Sequence, residues 1–437
     1  MDAPSARMQL PSLVPTLALA TAQPSPALPT RTVATAVPVA PPTTVAPAIT
    51  MAPAITVAPA ITMAPPTTVA PPLSHVDLVK GPDVLYTGKP TEMKLFWQGR
   101  AGQAFRVDWG TDAQYGAGSQ PVSAYDAENH LYAITLAGLQ PDTRYLYRVV
   151  VNNQAAEGSF RSAPLSSALL SSAPLSGASD LKFVAYGDTR THPEIHEAVA
   201  AGVLGLVKAD PAYQTLELLT GDLVSDGSSQ AAWDSEFFDP GLRNIRAELA
   251  TLAVLPVIGN HEAGSPLFSR YFPLPYVDAH YWSFDYGPAH FVMLDQYSEF
   301  GAGSAQYNWL KADLAATRQP WKIVTLHEPG WSAGGGHPNN ATVQDDLQPL
   351  FEQYGVALVL GGHLHYYARA EVRGVTHLTL GTGGAPLYPA EPNMPDIVTT
   401  YLGAGYARFA IHGATLDAWF VDTSGQVRDR FTLLAKQ

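Results

Sequence analysis

The chain of 437 residues contains no cysteine. That absence removes thiolate nucleophiles, disulfide staples and cysteine-held iron–sulfur clusters from consideration, while leaving the compartment open. Basic charge is also scarce. Lys and Arg total 25 against 38 Asp and Glu, a formal net charge of −13, and no Lys/Arg run occurs. A surface for nucleic acid or anionic membrane needs a basic patch, so neither partner is expected. A small phosphorylated substrate stays compatible, because metal ions can supply positive charge locally. No stretch reaches the roughly 20 uninterrupted apolar residues that a membrane span requires. The hydrophobic fraction, 46%, suffices for well-packed cores, and the length allows two or three domains.

The N-terminal third is built from unlike pieces. Residues 1–22 resemble a signal peptide: Arg7 precedes an apolar stretch ending at Leu19, and Ala20-Thr21-Ala22 offers a small-residue cleavage site. Pro11 and Pro15 interrupt that stretch, so a plain terminus competes with this reading. Residues 23–74 repeat a six-residue unit, Val45-Ala46-Pro47-Ala48-Ile49-Thr50 and its copies. Proline at every sixth place opposes helix and sheet, and predicts an extended, disordered spacer. Such a stalk favours a secreted, cell-surface or periplasmic location; a neutral repeat expansion is the alternative. Residues 75–161 alternate apolar and polar positions, as in Phe105-Arg106-Val107-Asp108-Trp109, and read as a small all-β sandwich. Residues 162–180 form a linker. From 181 to 437 strands alternate with helices and then give way to β runs, an α/β (α+β) pattern.

Five polar motifs stand where apolar strands of this last segment stop. They are Gly187-Asp188-Thr189-Arg190, Gly221-Asp222-Leu223, Gly259-Asn260-His261-Glu262, Leu326-His327-Glu328-Pro329 and Gly362-His363-Leu364-His365. Ligands of α/β sheets bind at the carboxyl ends of strands, so distant positions can converge there. One Gly-Asp alone would be an ordinary turn or helix cap. The ordered set of carboxylate, carboxamide and imidazole donors instead predicts a site for two divalent ions sharing one carboxylate. Phosphate ester hydrolysis is the reaction such a pair serves.

At these motifs the segment resembles the calcineurin-like metallophosphoesterases. With the preceding sandwich, which resembles a fibronectin type III domain, it looks like a bacterial relative of the purple acid phosphatases. The resemblance implies a β-sandwich flanked by helices. It implies Asp222 as the bridging ligand, Asp188 and His365 on the first ion, and Asn260, His327 and His363 on the second. The ions would be Mn, Fe, Zn or similar. His261 would contact phosphate and protonate the leaving oxygen, with Glu262 orienting it. Two departures stand out. The purple enzymes carry a tyrosine ligand where Ser225 stands. The wider superfamily carries a ligand histidine at the place of Arg190, whose guanidinium cannot ligate a metal. His192 or water would complete the first ion's shell, and Arg190 would offer a forked donor to phosphate. His337, on a Gly-rich loop, contacts substrate or is a solvent-facing loop histidine. Phosphomonoesterase is the leading expectation. A phosphodiesterase acting on nucleotides or glycerophosphodiesters is the alternative enzyme, and a degenerate binding module is the alternative of another class. The intact Asn260-His261-Glu262 speaks against decay.

Overall fold

Apolar runs become strands throughout the computed structural model, which describes residues 78–165, 180–391 and 393–436. The expected signal (1–22), the spacer (23–74) and residues 166–179 of the linker lie outside these. The N-terminal segment carries β1 (Lys80–Tyr86), β2 (Glu92–Gln98), β3 (Phe105–Gly110), β4 (Gly118–Val122), β5 (Ala124–Asp126), β6 (Leu131–Ala137), β7 (Arg144–Val151) and β8 (Gln154–Arg161). The remainder carries β9 (Leu181–Tyr186), β10 (Leu216–Leu219), β11 (Ala253–Pro256), β12 (Trp282–Tyr286), β13 (Ala289–Met293), β14 (Trp321–Thr325) and β15 (Leu358–Gly361). It ends in β16 (Tyr367–Val372), β17 (Val375–Leu380), β18 (Ile397–Tyr401), β19 (Gly405–His412), β20 (Thr415–Asp422) and β21 (Val427–Leu434).

Two large sheets hold the molecule together. One runs β21-β20-β19-β9-β10-β11-β1-β2-β6-β5, the other β12-β13-β14-β15-β17-β16-β18. The short strands β10, β11 and β15 are buried on both faces, which is why they read as unbroken apolar runs. β9, β10 and β11 are parallel, as are β13, β14, β15 and β17. Aromatic rings join the facing sheets: Phe183 meets Phe291 at 5.4 Å, Tyr86 meets Phe284 at 5.4 Å, and Tyr367 stacks on Phe420 at 4.3 Å. Each such buried ring contributes about 1.5–3 kcal/mol from area alone. The helix Pro193–Ala209 starts with proline in its first turn, where a missing N–H costs nothing. It buries His196, Val199, Ala200, Val203 and Leu206, one stripe at helical spacing.

One sheet crosses the chain division at the linker. β1 pairs in parallel with β11 at Val84 and Ala253, so the first large sheet passes from one segment into the other. A third sheet, β4-β3-β7-β8, closes over that extension, with Phe105 packed 5.6 Å from Trp97 and 4.5 Å from Tyr132. In β7 the alternating residues Tyr145, Tyr147, Val149 and Val151 are buried. The Tyr145 hydroxyl accepts the Gln140 N–H at 2.9 Å, a corner bond of the sandwich type. The helical stretch before β15 is split: Val343–Leu347 is π-helical and Gln348–Tyr354 is α-helical. Pro349, without an N–H, lies in the first turn of the second piece.

Candidate metal centre

The strand ends deliver the polar motifs to one place. Asp188 and Asp222 follow β9 and β10, Asn260 lies past β11, His327 past β14, and His363 and His365 past β15. Asp188, Asp222 and His363 adopt left-handed backbone, with φ of 54°, 54° and 66°. Such strain persists where surrounding contacts overdetermine it, and it clusters at functional sites. The glycines of the motifs have a steric cause. A side chain on Gly259 would lie 2.3 Å from Asp222 Oδ1, and one on Gly362 would lie 2.3 Å from Asp188 Oδ2. The loops approach so closely that any larger residue would displace a carboxylate.

Two groups of donor atoms result, joined by Asp222: Asp222, His327 and His363 in one, Asp188, Asp222 and His365 in the other. In the first, His327 Nε2 lies 3.4 Å from Asp222 Oδ1, 3.1 Å from Asn260 Oδ1 and 3.2 Å from His363 Nδ1. His363 Nδ1 lies 2.9 Å from Asn260 Oδ1. In the second, His365 Nε2 lies 3.5 Å from Asp188 Oδ1. Backbone carbonyls decide which imidazole nitrogen is free. His327 Nδ1 donates to the Thr220 carbonyl at 2.7 Å, and His365 Nδ1 donates to the Pro386 carbonyl at 2.6 Å. A carbonyl only accepts, so each neutral ring turns its Nε2 lone pair inward. Lone pairs crowded at these separations form a set suited to a cation.

The electrostatics agree. Burial works to raise the Asp222 carboxyl, but His327, His261, a backbone N–H and Arg190 outweigh it and hold the group below the usual range. Burial works to lower His327, but Asp222 and Asp188 raise it overall, the mark of a strongly negative pocket. Burial, followed by the charges of His327 and His337, lowers His363 to about 3, which keeps that ring neutral and able to ligate. Asp188, Asp222, His327 and His365 are buried while Asn260 is exposed, so the cluster opens on the Asn260 side.

Residues 183–367, a span holding all six of these donors, match the family model for calcineurin-like phosphoesterases. The chain carries a calcineurin-like phosphoesterase domain. Purple acid phosphatase 18 of Arabidopsis thaliana is 31% identical over 202 residues, covering 40% of this chain and 45% of that protein. Purple acid phosphatase 23 of the same plant is 26% identical over 292 residues, covering 58% of this chain and 62% of that protein. The chain thus spans about half the length of these curated relatives. A purple acid phosphatase from yellow lupin (Lupinus luteus) seeds superposes with a TM-score of 0.65 at 20% identity, covering 81% of this chain and 74% of that one. At that identity the likeness establishes the fold.

Around the donors of the phosphoesterase domain, some neighbours differ from expectation. Glu262 does not touch the His261 ring. Its buried carboxylate accepts four backbone N–H groups, from Asp222 (3.0 Å), Leu223 (2.8 Å), Val224 (3.2 Å) and Gly259 (3.0 Å). Burial and the Asp222 charge work to raise that carboxyl, against the pull of the Val224 N–H, His327 and the Gly259 N–H. The His261 ring is oriented instead by the Ser225 carbonyl, which accepts from Nδ1 at 2.6 Å, leaving Nε2 3.7 Å from Asp222 Oδ2. The Ser225 hydroxyl itself donates to Glu236. His192 turns to Glu194, 3.3 Å away, and not to the cluster. His337 does reach the site: its ring lies 4.1 Å from that of His363, beside a cavity of about 430 Å³ lined by Gly334–Asn339, Glu391 and Met394. Sequence reasoning missed Tyr388, whose ring stacks on His365 at 4.1 Å, and Gln296, whose carboxamide oxygen accepts the His327 N–H at 2.8 Å. Neither lies in a motif, and no local pattern marks them.

Proposed function

We propose that the domain hydrolyses phosphate monoesters at a divalent-metal cluster. The observation that carries this reading is the meeting of acceptor atoms from five strand-end loops, with few protons to share among them. Asp188, Asp222 and His365 would hold one ion, and Asp222, Asn260, His327 and His363 the other. Divalent ions held there would supply Lewis acidity to phosphoryl oxygens and lower the pKa of water. The neutral carboxamide of Asn260 limits the negative charge of its group. His261, with Nδ1 tied to Ser225, presents Nε2 toward Asp222 and the open side. From there Nε2 can give a proton to a leaving oxygen. His337, against the His363 ring, and Tyr388, stacked on His365, can exclude water from a bound ester.

The purple acid phosphatase relatives support the monoester preference, and the first 74 residues support export. The test is elemental analysis of purified protein together with turnover of aryl phosphate mono- and diesters. Bound Mn, Fe or Zn with faster monoester turnover is expected. Metal-free protein that is active, or a preference for diesters, would contradict the proposal.

A further inference from the structure

Arg190 stands two residues beyond Asp188 and turns its guanidinium back into the cluster. Its Nη2 donates to His365 Nε2 at 3.3 Å, and its Nε lies 3.4 Å from Asp222 Oδ2. His365 and Asp222 are two of the three residues in the second donor group described above. The guanidinium therefore meets the same lone pairs that an ion there would use. Its side chain is 13% exposed, so solvent screens this charge little. The buried carboxylate of Asp222 gives the guanidinium its counter-charge.

The way it is held matters as much. The third contact, Nη1 to Thr191 Oγ1, is also 3.3 Å. All three exceed the common N–H···O range of about 2.7–3.2 Å. Among the described residues no carboxylate takes the guanidinium in the two-bond fork that fixes an arginine firmly. Charge, and not directional hydrogen bonding, keeps the side chain in place, so another cation can displace it. A displaced guanidinium loses its counter-charge and needs an anion, and a phosphate group matches its fork.

We propose that Arg190 is a tethered cation filling the Asp188–Asp222–His365 position, which a divalent ion enters only as the guanidinium moves onto a phosphate group. The idea rests on the metal-centre reading above. Its consequence is thermodynamic: ion and phosphate each favour the state in which Arg190 has left, so each tightens the other. The Asp222–Asn260–His327–His363 position meets the guanidinium only through the shared Asp222 and keeps its ion without phosphate.

The test is calorimetric titration of Mn²⁺ into chelator-stripped full-length protein, with and without inorganic phosphate, beside Arg190→Ala and Arg190→Gln. Bound ions are counted by elemental analysis, and thermal melts verify that each variant is folded. Wild type should bind one ion tightly and a second weakly, and phosphate should tighten the second on the order of 5–150-fold, the usual span of coupling between two ligands. In both variants the second ion should bind tightly without phosphate, and the phosphate effect should largely vanish. Two wild-type ions of equal affinity whatever the phosphate concentration would overturn the proposal, as would variants that keep the weak second site. Failure of wild type to bind any Mn²⁺ would instead overturn the metal-centre reading on which it depends.

Discussion

Replacing Glu262 should loosen the metal loops without acting through His261. The carboxylate is fully buried and accepts four backbone N–H groups, two on each oxygen, from the Asp222 loop and from Gly259. A buried N–H left without its partner costs about 1–3 kcal/mol. Glu262→Ala strands all four, a loss of roughly 4–12 kcal/mol, comparable with the entire stability of a typical domain. That variant should fail to accumulate as folded protein. Glu262→Gln keeps one carbonyl oxygen for one pair of donors and turns an NH₂ toward the other pair. Its cost is about half as large, roughly 2–6 kcal/mol, which at about 2 °C per kcal/mol for a chain of this size lowers Tm by about 4–12 °C. The loop it secures carries Asp222, so metal affinity should also fall, about 10–100-fold as for other partners outside the ligand shell. The assay pairs differential scanning calorimetry with activity at rising metal concentration. Excess metal should restore most of the lost turnover, equally for good and poor leaving groups. An unchanged Tm, or a loss that metal does not rescue and that grows with leaving-group basicity, would refute the backbone role and return Glu262 to orienting His261.

Other outcomes follow from the same contacts. His261→Ala should slow hydrolysis of alkyl phosphates by about 10²–10⁴-fold and of nitrophenyl phosphate far less, because a nitrophenolate needs little protonation; metal content should not change, and a loss of metal would make His261 a ligand. Deleting residues 78–165 should leave an aggregating remainder, since β1 covers the edge of β11 and Tyr86 packs on Phe284 and Tyr286; a soluble, cooperatively melting remainder would contradict the shared sheet. His290 is buried between Asp285 and Asp313, each 2.8 Å away; burial opposes its charge, but the two carboxylates prevail and raise it to about 9. A raised folded-state pKa means that the stabilisation, about 3 kcal/mol for such a shift, is complete below the ordinary histidine value and is lost as pH rises through about 9. Urea melts of wild type should weaken between neutral and alkaline pH, while those of His290→Gln should change less; equal pH dependence of the two would remove His290 from that role.

Much of this architecture was open to reading from the chain. The strand-end position of each motif depends on local pattern alone, so Asp188, Asp222, Asn260, His327, His363 and His365 could be named before their meeting was visible. What escaped reading depends on contacts between distant residues. The pairing of β1 with β11 joins segments separated by a linker, and nothing in either strand announces it. β16, β17 and β18 were not anticipated, because Thr376, His377 and Thr379 interrupt the apolar pattern of a strand that is nevertheless buried along its length. His377 is accommodated there by Gln348, 2.9 Å from its Nε2. The carbonyls of Ser225, Thr220 and Pro386 set the tautomers of three histidines, yet a backbone carbonyl leaves no trace in residue identity. Glu262 was assigned to His261 because the two are adjacent in sequence. Adjacent residues on a turn point apart, and this carboxylate turns to the neighbouring loop instead.

The central claim is that Asp222 binds both donor groups into one metal-dependent phosphoesterase site. The most direct measurement is aryl phosphate monoester turnover by Asp222→Asn and wild type, each stripped with chelator and then resupplied with divalent metal, alongside elemental analysis. Asn keeps the size and the acceptor of the His261 N–H but removes the charge that faces His327, His261 and Arg190. Wild type should lose activity on stripping and regain it with metal, while Asp222→Asn, folded by its thermal melt, should bind little metal and turn over almost nothing under either condition. Wild-type activity that survives stripping, or an Asp222→Asn variant that binds metal and hydrolyses the ester like wild type, would contradict the account.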